Sequence, residues 1–323
     1  MSRPADITRR NALGACIAGA LGAHGAVTDK SRVVVARDPL LGRTRASTDS
    51  IRLLKVLDRA MQSLYDADNP VEPWRQVVRP GEVVGLKVNG LAGKGASTSV
   101  VLVDAICERL RQAGVPERNI VIWDRLNSDL ESAGFRVSAR KDRIQYVGND
   151  DAGYETELAV HASAASRVAV TLTRTCNAVI NLPVLKDHGI VGVTVALKNL
   201  FGAIHNPNKY HNDVGDPYVA DVYMLPPIRQ KVRLAICDAI VAQYEGGPSY
   251  MPQWCWPYNG LIVSRDPVAL DYTGWQILER KRAERGMPSL RNARREPTYI
   301  ARAADPQHHL GVNDPARIDL VEA

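Results

Sequence analysis

The chain has 323 residues, 45% of them hydrophobic and 24% charged, the balance of a folded globular protein with ample material for a buried core. Its net charge is only +6, and Arg3, Arg9 and Arg10 outweigh Asp6 at the N-terminus, so no concentrated basic face points to nucleic acid as a partner. The five cysteines contain no CxxC pair, which argues against an iron–sulfur cluster or a structural zinc module.

At the N-terminus, Thr8-Arg9-Arg10-Asn11-Ala12-Leu13 precedes a small-residue, weakly apolar run that gives way to Asp29-Lys30. Paired arginines ahead of such a run resemble a twin-arginine (Tat) export signal over residues 1–26, with cleavage between Ala23 and Ala26. The run is too short and too glycine-rich to span a bilayer. The expectation is a periplasmic or extracellular protein that meets the Tat export machinery and is not an integral membrane protein after processing. Because this route carries proteins already folded, a divalent metal is permitted, while the cofactor itself stays unknown.

Residues 27–323 read as one α/β domain. Arg32–Ala36 is a β-branched strand, and Ile51, Leu54, Leu57, Met61, Leu64 and Tyr65 recur at helical spacing behind the cap residues Asp49 and Ser50. After a loop marked by Pro70, Pro73 and Pro80, Glu82–Val88 reads as a buried strand. A helix capped by Ser97 or Thr98 carries Val100, Val103, Ile106 and Leu110 and is closed by Gly114, and the strand Ile120–Trp123 follows, ending in Asp124. This strand–helix–strand unit predicts a Rossmann-like, mostly parallel sheet flanked by helices.

Further along, Ser128–Gly134 reads as a short helix and Ile144–Val147, Arg167–Thr173 and Ala178–Leu182 as strands, the last stopped by Pro183. Helical spacing of Val193, Leu197, Leu200, Phe201 and Ile204 predicts a helix over 191–204. A polar, proline-rich segment around 205–227 has no apolar period and reads as a long loop, a place where function concentrates. Val232–Ile236 and Leu261–Ser264 resume the sheet, Asp266-Pro267 opens a helix over 268–280, and 317–321 is an edge strand.

Several polar residues fall just past apolar strands: Lys87 and Asn89, Asp124, Asn181, and Asp238. Parallel sheets bind ligands outside the carboxyl ends of their strands, so these residues are expected to share one edge. Between Asn181 and Asp213 the chain crowds Lys186, His188, Lys198, Asn199, His205 and His211 around a short apolar run. Lysines facing a sheltered cleft suit a carboxylate or phosphate, and histidines suit metal ligation or proton transfer near neutral pH. The histidine spacing matches no zinc motif. We assign Lys186, His188, Lys198 and Asp238 as catalytic. Lys87, Asn89, Asn181, Asn199, His205, His211, Asp124, Glu245 and Asp271 are assigned to the substrate. Asp238, Glu245 or Asp271 would hold a divalent ion or act as base.

Three blocks carry a family resemblance: Val84-Gly85-Leu86-Lys87-Val88-Asn89, the run Val179 to His188, and the run Thr194 to Gly202. With Asp238, Glu245-Gly246-Gly247-Pro248 and Ser264 to Asp271, they resemble the family called domain of unknown function 362. The resemblance implies a Rossmann-like α/β body and groups these residues, without an agreed reaction. Many relatives carry ferredoxin-type cysteine clusters; this chain has none, so electron transfer is not implied. Two expectations stay open: an exported enzyme acting on a small anionic ligand, or a non-catalytic protein that binds a ligand, metal or cofactor in the same pocket.

Overall fold

Residues whose neighbours along a strand point to opposite, equally buried faces dictate a sheet covered on both sides, and the central runs of this chain, 84–87, 120–124 and 178–181, are buried in that way. The structure is a computed structural model describing residues 30–323; the expected export signal lies outside the described residues. In chain order the elements are β1 (Ser31–Arg37), α1 (Ser50–Tyr65), α2 (Glu72–Val77), β2 (Val84–Lys87), α3 (Gly93–Ala96), α4 (Val100–Gln112), β3 (Ile120–Asp124) and α5 (Asn127–Ala133). Then come β4 (Gln145–Gly148), α6 (Asn149–Ala152), β5 (Ala159–His161), β6 (Ala164–Ser166), β7 (Ala178–Asn181), β8 (Val184–His188), β9 (Gly192–Thr194) and α7 (Ala196–Asn199). The chain closes with α8 (Tyr218–Tyr223), α9 (Pro226–Lys231), β10 (Val232–Gln243), β11 (Cys255–Ser264), α10 (Pro267–Glu284), α11 (Tyr299–Ala304) and β12 (Ile318–Glu322).

The central sheet runs β12-β1-β11-β10-β7-β2-β3-β4. The five strands from β10 to β4 are parallel, β11 is antiparallel to both neighbours, and β12 lies parallel to β1. On β3, Ile120 and Ile122 join one hydrophobic cluster while Val121 and Trp123 join the other. The first cluster is closed by α1, α2, α4 and α5, the second by α7 to α11. Helix α1 forms because Asp49 accepts from the Ile51 and Arg52 amides, and because Leu53, Val56, Leu57, Met61 and Leu64 make one buried stripe. Each of those large side chains contributes about 1.5–3 kcal/mol of burial.

Four sequence expectations change. Residues 167–173 make only isolated bridges, Val168 to Ile204 and Ala169 to Tyr154, and then coil into a single π turn over Thr171–Thr175. Packing of Val168 and Ala169 into the core overrides their β-branched neighbourhood. The expected helix over 191–204 is β9, then α7, then a 3-10 turn over Leu200–Ala203, because β9 folds back on β8 with Lys186 opposite Thr194 and His188 opposite Gly192. The segment expected as a long loop is a chain of short helical turns ending in α8 and α9, with Val219, Ala220, Val222, Leu225 and Ile228 buried. Each turn is too short to display a period. Finally, Pro183 ends β7 but does not end the pairing: β8 takes its place beside β10, with Val184 opposite Asp238.

Candidate active site at the switch point of the sheet

From β2 the chain winds outward through β3 to β4, then returns to the other side of β2 for β7 and β10. The carboxyl ends of β2 and β7 therefore diverge at a switch point, the place where a parallel sheet opens a crevice. A cavity of about 450 Å³ opens there, with exposed Leu91 and Ile190 at its mouth. Four cationic side chains line it, Lys87, Arg125, Lys186 and Lys198, against two carboxylates, Asp124 and Asp129.

Its floor is a buried ion pair. Lys87 at the end of β2 places Nζ 2.7 Å from Asp124 Oδ1 at the end of β3 and donates to the Val88 carbonyl at 2.6 Å. Asp124 also accepts from the amides of Gly90 and Arg125. Gly202 lies directly on the pair: a Cβ there would sit 2.7 Å from Asp124 Oδ1 and 2.8 Å from Lys87 Nζ, so only glycine allows the approach.

Beside the pair runs a relay of amides. Lys186 Nζ donates to Asn89 Oδ1 at 2.9 Å, Asn89 Nδ2 to Asn199 Oδ1 at 3.0 Å, Asn199 Nδ2 to Asn181 Oδ1 at 2.8 Å, and Asn181 Nδ2 to the Ala196 carbonyl at 2.8 Å. The terminal carbonyl can only accept, which sets the direction of every amide in the chain. Three strands and a helix are tied together by this relay, and its free end presents the Lys186 amine to the cavity.

Lys186 is fully buried, and besides Asn89 it donates only to the Ala96 carbonyl at 3.1 Å. Burial, and secondarily the Arg45 charge, pushes its pKa down to about 7. Lys198, on α7, rests 4.0 Å from the Phe201 ring centroid, and burial reinforced by Lys186 and Lys87 also brings it down to about 7. Among the described residues neither amine has a carboxylate within 4.0 Å. Two sheltered cations without counter-ions make an anion site.

The histidines face the same space in complementary tautomers. His188 Nδ1 accepts from the Ile190 and Val191 amides at 3.2 and 3.3 Å, so the proton sits on Nε2. Burial, then Lys198 and His211, pushes its pKa down to about 2 and keeps the ring neutral. His211 stacks on it with centroids 5.3 Å apart, and its Nδ1 donates to the Asn208 carbonyl at 3.2 Å, which leaves Nε2 as a lone pair. Burial lowers its pKa too. The pair thus offers one donor and one acceptor. Opposite, half-buried Asp129 on α5 has its pKa raised by burial and by the charge of Asp124.

The remaining sequence candidates lie elsewhere. Asp238 is fully buried, 2.5 Å from Arg45, and accepts from the Ser99 amide at 2.7 Å, so it caps α4 from a distance in place of Ser97 or Thr98. Asp271 likewise accepts from the Ala196 and Leu197 amides and caps α7; burial raises its pKa well above the carboxylate range. Glu245 is bound to Arg282 and Arg295, and Arg295 also holds Asp187 at 2.6 Å. His205 is exposed, edge-on to Tyr154. None of these four lines the cavity, and the oxygens of Asp238, Glu245 and Asp271, the alternatives for a divalent ion or a base, are engaged by arginines or backbone amides. Asp129, Arg125 and Phe201 escaped the sequence reading: Arg125 directly follows β3, Asp129 stands on α5 and Phe201 on a 3-10 turn, and no spacing along the chain ties them to the lysines. Asp129, five residues past Asp124 on the first helix after β3, was the legible one.

Comparison with known proteins places the chain by sequence. Residues 84–276 match the family described as Domain of unknown function (DUF362), a span that contains every element of the cavity wall described above. A protein from Thermotoga maritima, known from a structural genomics crystal structure, is similar at 9% identity with a TM-score of 0.42, over 73% of this chain and 59% of that one. The chain therefore spans less than two thirds of that protein's length. No curated protein matches it.

Proposed function

The chain belongs to the DUF362 family, and from that premise we propose that it is an enzyme acting on a small anion, a carboxylate or a phosphate, held between Lys186 and Lys198. The observation that carries this reading is the pair of buried amines without counter-ions at a switch-point cavity. An anion entering the cavity restores the charge that burial disfavours, so it binds with the amines protonated. His211 Nε2 is the base and takes a proton from the bound molecule. His188 Nε2–H then donates to the oxygen on which charge develops, a role that a ring locked neutral fills without surrendering its proton. Apolar Phe201, Leu91 and Ile190 limit the ligand to one with a small uncharged body.

The test pairs thermal-shift measurements on a panel of small carboxylates and phosphates with product analysis by NMR in deuterated water. Stabilising anions should be altered or labelled by the wild type and not by His211→Ala. The same anions should lose their stabilising effect in Lys198→Met. Stabilisation without turnover makes the pocket a binding site. If His211→Ala and Lys186→Ala fold and retain full turnover of an identified substrate, the assignment fails.

A further inference from the structure

Away from the cleft, three side chains from separate stretches converge. His161 ends β5, Asp221 sits in α8 and His308 follows α11, and one ligand atom from each lies within 4.8 Å of the other two. Asp221 and His308 are buried and His161 is half-buried. Asp305 Oδ1 accepts from the Gln307 and His308 amides at 2.9 and 3.0 Å and lies 2.7 Å from His308 Nδ1. That oxygen is an acceptor by construction, so Nδ1 carries a proton and Nε2 is turned toward Asp221 Oδ1 at 2.8 Å. The other oxygen of Asp221 is held by Ser163, through its amide at 3.1 Å and its hydroxyl at 2.5 Å.

Two imidazoles and one carboxylate are the donor set of borderline divalent ions; calcium and magnesium select oxygen alone. The partners behind the ligands are also in place. A carboxylate on the far nitrogen of a ligating histidine fixes its tautomer and raises its basicity, and Asp305 stands in that position. A lone proton between His308 and Asp221 would account for their approach but not for His161, whose ring makes no side-chain hydrogen bond among the described residues and is turned to the same point, 6.1 Å from His308 between centroids.

We propose that His161, Asp221 and His308 form a binding site for a divalent transition metal of the zinc class. The ion would staple the β5–β6 hairpin and the segment after α11 to α8. That hairpin braces the cleft: Tyr210, next to His211, donates to the Ala165 carbonyl at 2.7 Å and accepts from its amide at 3.0 Å. The staple therefore fixes the turn that carries His211.

The test uses the untagged full chain, stripped with chelator and titrated with zinc chloride, read by calorimetry, metal stoichiometry and thermal melting. One equivalent should bind and raise the melting temperature, and cobalt in its place should show tetrahedral absorption. His161→Ala removes a half-buried ring without a hydrogen-bond partner, so it should fold and lose stoichiometric binding. Asp305→Asn keeps all three ligands and should weaken binding by about 10–100-fold. Absence of binding by the wild type overturns the proposal, and so does undiminished binding by His161→Ala. Neither result bears on the lysine cleft.

Discussion

Lys198→Met should make the ligand-free protein more stable while abolishing its response to anions. The amine is buried, faces the cavity and makes no hydrogen bond among the described residues, so its removal costs only its contact with the Phe201 ring, which a methionine side chain can keep in part. A fall from 10.5 to about 7 corresponds to a penalty of about 5 kcal/mol on the charged form as an upper bound, at about 1.4 kcal/mol for each pH decade. Relaxation around a buried charge reduces this, and we expect a gain of about 2–3 kcal/mol at about pH 6. The sign with pH follows from linkage. Below the folded pKa both states hold the proton and the penalty is complete. Above about pH 7 the native protein releases the proton while the unfolded chain keeps it to about 10.5, so wild-type stability climbs and the advantage of the variant narrows. Urea denaturation of both proteins at about pH 6 and about pH 9 measures the difference. A variant no more stable than wild type at the lower pH, or an advantage that does not change with pH, would refute the reasoning.

Arg45→Ala leaves Asp238 fully buried without its counter-charge and should cost about 3–5 kcal/mol in urea denaturation. The double change Arg45→Met with Asp238→Leu should recover much of that loss; if it is as unstable as Arg45→Ala, the charge is not the cause. Gly202→Ala drives a methyl group into the Lys87–Asp124 pair and should cost about 1–3 kcal/mol, with anion stabilisation diminished because the cavity floor shifts. Unchanged stability and ligand response would show that the floor is soft.

The periodic elements were legible in the sequence because their information is local. Helices α1 and α10 announce themselves by caps and apolar spacing, and β2, β3 and β7 by short apolar runs, so the parallel sheet and the polar residues at its edge followed directly. Lys87, Asn89, Asp124, Lys186, His188, Lys198, Asn199 and His211 do meet at one cavity, because a parallel sheet delivers every strand's carboxyl end to the same side. What no local pattern contains is the partner of each polar group. Asp238 and Asp271 have the residue type and position expected of site residues, yet Asp238 spends its oxygens on Arg45 and the Ser99 and Ile240 amides, and Asp271 on the Ala196 and Leu197 amides. His205 and His211, six residues apart, differ only in which way a short turn points them, one to solvent and one onto His188. Strand and helix periods are written along the chain; hydrogen-bond partners across it exist only once the chain has folded, and they decide which charged residues are left free to meet a ligand.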